Sequence, residues 1–64
     1  MAVHLQLESL YTNPELGLES SVHSTGNRYV VSLRDTDADE EVLSRTTFHT
    51  LEGARAYAQT IVGG

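Results

Sequence analysis

Residues 2–49 alternate apolar and polar side chains in short runs, and from residue 50 the chain changes to a helical period. This switch limits the fold more than any other feature. A period of two puts alternate side chains on opposite faces of a strand, whereas a period of 3.6 gathers them on one face of a helix. In residues 2–8, Val3, Leu5 and Leu7 point one way and His4, Gln6 and Glu8 the other. Leu10 and Tyr11 extend the apolar character until Thr12-Asn13-Pro14 breaks it, because proline has no amide proton for a ladder. Alternation returns in residues 15–23, with Leu16, Leu18 and Val22 opposed to Glu15, Glu19 and His23. A helix capped at Asn13-Pro14 competes here, but Gly17 and Ser20-Ser21 favour a strand.

Ser24-Thr25-Gly26-Asn27 reads as a hairpin turn. Residues 28–34 then form the clearest strand, with Tyr29, Val31 and Leu33 inward, Arg28, Ser32 and Arg34 outward, and Val30 an apolar exception on the polar face. Residues 35–41 have no periodicity and read as a solvated loop. Residues 42–49 suit a fourth strand of ambiguous facing, since Val42 and Phe48 share one side and Leu43 takes the other. Thr50 is the expected helix cap, and Leu51, Ala54, Ala58 and Ile61 recur at helical spacing with Tyr57 beside them. Glu52 suits the positive end of that helix, and Gly63-Gly64 ends it.

These elements predict one small α+β domain over residues 1–64, a four-stranded antiparallel sheet in the order β-β-β-β-α with its C-terminal helix packed on one face. The expected core is Val3, Leu5, Leu7, Leu16, Leu18, Val22, Tyr29, Val31, Leu33, Phe48, Leu51, Ala54, Ala58 and Ile61. That core is thin for 64 residues, and without cysteine there is no disulfide or thiolate-bound zinc to reinforce it. Self-association is the usual remedy, so a homodimer is expected, with Val30 and Leu43 at its contact. The apolar runs are too short to span a membrane, and the opening residues lack the pattern of a secretory signal, so a cytoplasmic location is expected.

Composition matters for function chiefly through charge. The net charge is −5, from nine acids and four arginines. Asp35, Asp37, Asp39, Glu40 and Glu41 account for all of that excess, and the remaining acids balance the arginines. The acidic sum argues against general affinity for nucleic acid or anionic lipid. The D-x-D-x-D opening at residue 35 suits a calcium loop, but Glu40 stands where the sharp turn needs glycine and Thr46 where a bidentate glutamate belongs, so no metal is assigned. His4, His23 and His49 have no metal-site spacing, and no serine lies in a nucleophile elbow. No catalytic residue or cofactor is expected. Arg28, Arg34 and Arg45 fall on neighbouring strands, where pairing with Glu15 and Glu19 accounts for them better than RNA binding.

The expected function is a non-enzymatic protein-binding module whose acidic 35–41 loop meets a basic surface on its partner. In format it is similar to small phage-encoded antagonists of host defence, which implies an inhibitor occupying a nucleic-acid-binding surface in the host cytoplasm. The diglycine Gly63-Gly64 resembles the tail of ubiquitin-like modifiers and sulfur carriers, which implies activation at the Gly64 carboxylate. Those families, however, lead into the tail from a strand, and here a helix precedes it. A self-associating structural domain is the third expectation.

Overall fold

The computed structural model describes residues 5–37 and 41–63, with Glu41 described in its backbone alone. Four strands, β1 (Gln6–Asn13), β2 (Leu18–Thr25), β3 (Arg28–Asp35) and β4 (Glu41–Phe48), precede one helix, α1 (Leu51–Ile61). The strands pair antiparallel in sequence order, so β1 and β4 are the edges. The α+β architecture is therefore the one expected from the periodicity. Val3 and His4 lie outside the described residues.

Register decides what each face carries, because residues directly opposite in an antiparallel pair share a face. The inner face holds the rows Ser9–Val22–Val31–Thr46, Tyr11–Ser20–Leu33–Ser44 and Gln6–Ser24–Tyr29–Phe48. Helix α1 lies on this face. Ala54 and Ala58, one turn apart, are fully buried with Val22 and Val31, and their small side chains let the helix approach closely. Tyr11, Tyr29, Phe48, Leu51, Tyr57 and Ile61 pack around them. The Phe48 and Tyr57 rings sit 5.2 Å apart in a tilted arrangement. The buried Ser20 hydroxyl donates to the Ala58 carbonyl at 2.7 Å and ties the sheet to the helix.

Three expected core leucines are exposed instead. Leu5 is 59% exposed and Leu7 53%, because a register shift between Leu7 and Ser9 inserts an extra residue and turns their side of β1 away from the helix. Beyond the shift, the inner positions of β1 go to Ser9, Tyr11 and Asn13. Leu16 is exposed because it belongs to the turn between β1 and β2, and β2 begins at Leu18. There the Leu16 and Gly17 amides donate to the Asn13 and Pro14 carbonyls, and Pro14 occupies a site that needs no donor. Val62 is the buried residue that helical spacing did not single out.

A second shift, between Leu33 and Arg34, settles the facing of β4. Thr46 and Phe48 turn inward, Val42 lies outward opposite Arg34, and Leu43 is the extra residue. Thr50 caps α1 as expected, its hydroxyl accepting from the Gly53 amide at 3.2 Å. At the other end the Asn13 side-chain amide donates to the Val62 carbonyl. Gly63 follows with φ +86°, and a Cβ there would press on Asn13 and Leu16.

Candidate functional site

Of the acids expected to share one loop, Asp35, Asp37 and Glu41 fall within the described residues, at the end of the hairpin formed by β3 and β4. Asp35 is the last residue of β3 and Glu41 the first of β4, directly opposite each other. The Asp35 carboxylate accepts from the Asp37 amide at 2.9 Å, an Asx-type turn that bends the chain out of the strand. The Thr36 amide donates to the Gly17 carbonyl at 2.9 Å, which joins this hairpin end to the turn between β1 and β2. The Asp37 carboxylate lies directly over Gly17, where any Cβ would overlap it. Gly17 has φ +65°, a left-handed conformation that favours glycine, and any Cβ there would also make the exposed Asp37 side chain swing aside. Asp39 and Glu40 lie outside the described residues. Among the described residues neither Asp35 nor Asp37 forms an ion pair.

The face of the sheet opposite α1 is uncovered. Its rows are Leu7–His23–Val30–Thr47, Leu10–Ser21–Ser32–Arg45 and Thr12–Glu19–Arg34–Val42, with Thr25–Arg28 at the far end from the acids. Val30 therefore occupies the open face expected of it. Leu43 is half exposed within the bulge of β4, with no residue of β3 assigned opposite it. Leu5, Leu7 and Leu10 form an apolar stripe along one side, joined at the opposite edge by Val42. Leu5 also helps to line a shallow depression of about 420 Å³ with His23, Val30, Ser32, Arg34, Arg45 and Thr47. The short serines of the central row explain the dip.

Two polar details complete this face. Arg34 pairs with Glu19 at 3.7 Å, as the strand pattern predicts, while Glu15 sits in the turn away from the arginines. The Ser21 hydroxyl is buried and finds no hydrogen-bond partner. On the helix side, Arg55 and Gln59 each donate to the Tyr11 phenolic oxygen at 3.3 Å. The Arg55 contact and then the Gln59 contact favour the phenolate and lower the Tyr11 pKa from its usual value. The same bond raises that of Arg55.

Among the described residues no group of three His, Cys, Asp or Glu side chains is arranged to hold a metal ion, and no helix is long and apolar enough to cross a membrane. Gly63 follows directly from the buried Val62 at the end of α1, so no strand leads into it; Gly64 lies outside the described residues. The exposed leucine stripe and the tie from Asn13 to Val62 escaped the sequence reading. The stripe did leave a trace, since Leu5 and Leu7 fall on odd positions and Leu10 on an even one. An inserted residue between them puts all three on one face. Comparison with models of protein families, with curated proteins and with solved structures finds no match to this chain.

Proposed function

We propose that the protein is a non-enzymatic binding module that meets a basic surface on a partner through the acidic end of its sheet. The observation that supports this reading is the placement of the acids. Asp35, Asp37 and Glu41, three of the five acids in residues 35–41, stand at one end of the sheet, the charges outside residues 35–41 sum to zero, and the turn around Gly17 holds that end in place. Charge concentrated in this way favours fast, salt-sensitive encounter with a positive surface. In its sharper form the partner's surface is a nucleic-acid-binding groove and the module is an inhibitor that occupies it in the cytoplasm.

The test is a partner isolated by cross-linking from the native host and then titrated in purified form. Neutralising Asp35, Asp37, Asp39, Glu40 and Glu41 to their amides weakens binding and flattens its dependence on salt. An affinity and salt slope equal to those of the unaltered chain reject the reading. Competition between the module and a nucleic acid for the same partner tests the inhibitor form. A second reading, self-association, is supported by the uncovered sheet face with its exposed Leu5, Leu7 and Leu10.

A further inference from the structure

We propose that the depression on the open face of the sheet binds a phosphate monoester carried on a planar or apolar body, with the phosphate between Arg34 and Arg45 and the body against Val30 and Leu5. The site is separate from the acidic end. Asp35 and Glu41 share the helix-side row with Asn13 and Leu18, so the sheet stands between them and these arginines. Arg28, Arg34 and Arg45, three of the four arginines, all belong to the open face, where Glu19 is the one acid in the described rows. A chain that is acidic in sum thus presents a basic face opposite its helix.

The depression has two chemically distinct ends. At one, Arg34 and Arg45 stand on neighbouring strands at diagonal positions, about 7–8 Å apart. Ser32 lies directly opposite Arg45, and all three line the depression. The Arg34 pair with Glu19, at 3.7 Å, is longer than a direct hydrogen bond and leaves guanidinium donors unspent. Among the described residues Arg45 makes no ion pair. Planar guanidiniums offer paired donors that match the oxygens of a phosphate. One row further along the strands, about 7 Å away, Val30 faces Thr47, with His23 and Leu5 on the same wall. A phosphate held at the first end therefore carries its ester body over Val30. At about 420 Å³ the depression has the size of a small-molecule site and exceeds what a bare phosphate fills.

The centre of this face carries an independent sign of a missing ligand. Ser21 stands beside Ser32 in the same row and is only 2% exposed, yet its hydroxyl has no hydrogen-bond partner. Such a group costs stability and returns nothing to the fold. An anion seated over Ser32 brings acceptors to the neighbouring hydroxyl, its own oxygens or those of its bound water. The net charge of −5 repels a polyanion, which favours a single phosphate over a nucleic-acid backbone.

Amide chemical shifts of the isotope-labelled protein, titrated with phenyl phosphate, test the inference. Saturable shifts are expected at His23, Val30, Ser32, Arg34, Arg45 and Thr47. Inorganic phosphate and phenol, each lacking half of the probe, bind at least about tenfold more weakly. Arg45→Gln weakens phenyl phosphate binding about tenfold, while circular dichroism shows the variant folded. Glu19→Gln, which releases Arg34 from its pair, tightens binding severalfold. Adenosine monophosphate and a short phosphotyrosyl peptide then separate the two sources of such an ester, a free nucleotide and a modified protein, and the tighter ligand names the source. Shifts that fail to saturate by about 10 mM phenyl phosphate overturn the inference. So do saturable shifts confined to the helix side, or an Arg45→Gln variant that binds as the unaltered chain does. A single-stranded oligonucleotide that binds more tightly than adenosine monophosphate also overturns it, since the face would then be a track for a polyanion.

Discussion

The Ser20 hydroxyl does more for this fold than its size suggests. It is fully buried beneath α1 and donates to the Ala58 carbonyl, one of few polar ties between the two layers. Replacing Ser20 with alanine removes that bond and leaves a small void, and a loss of about 0.5–1.5 kcal/mol is expected in chemical denaturation. Ser21 presents the opposite case on the other face, since its buried hydroxyl has no partner. Ser21→Ala therefore discards an uncompensated polar group and should leave the denaturation midpoint equal or raised. Tyr11 offers a spectroscopic reading of the helix contact. Its lowered pKa means that the folded state favours the phenolate. The resulting stabilisation is complete above the pKa of the unfolded chain and is lost as pH falls through the lower folded value. Near neutral pH it contributes nothing. Arg55→Leu removes the main cause, so the onset of tyrosinate absorbance moves to higher pH, and an unmoved onset would show that the contact is absent in solution.

At the scale of elements, the bonds at hairpin ends and helix termini set which segments hold together. Thr50→Ala removes the side-chain acceptor of α1 and should cost about 1 kcal/mol in stability. Gly17→Ala demands more, because it forces a side chain into a positive-φ position and against the Asp37 carboxylate. A loss of at least about 1 kcal/mol is expected, and Asp37→Ala relieves only the steric part of it. Much of this was legible in the sequence. Alternation identified β3 nearly to the residue, and Thr50 followed by apolar residues at helical spacing identified α1. The inward faces of β1 and β4 were not legible, because one extra residue in a strand reverses every side chain beyond it. Periodicity detects such an insertion only as a break in parity, as between Leu7 and Leu10. The acidic end was visible as a charge run. Its attachment to the turn at Gly17 was not, since that contact joins segments distant in sequence.

At the scale of the whole molecule, the Asn13 to Val62 bond joins residues 49 apart, one in the first hairpin and the other just past the last element. Bonds of this kind form late, because the entropy of closing a long loop must be lost before the contact can contribute. The first hairpin and the helix terminus are therefore coupled by a contact that forms only when both are native. Folding should be slow for so short a chain, in milliseconds to seconds rather than microseconds. Asn13→Ala should speed unfolding while barely changing the folding rate, the signature of a contact made after the transition state. In the native state, amide hydrogens of β1 and of the last turn of α1 should exchange at matching rates, and the same substitution should raise both together. With its first hairpin latched to the end of its helix, either one can open only by giving up the bond that both share.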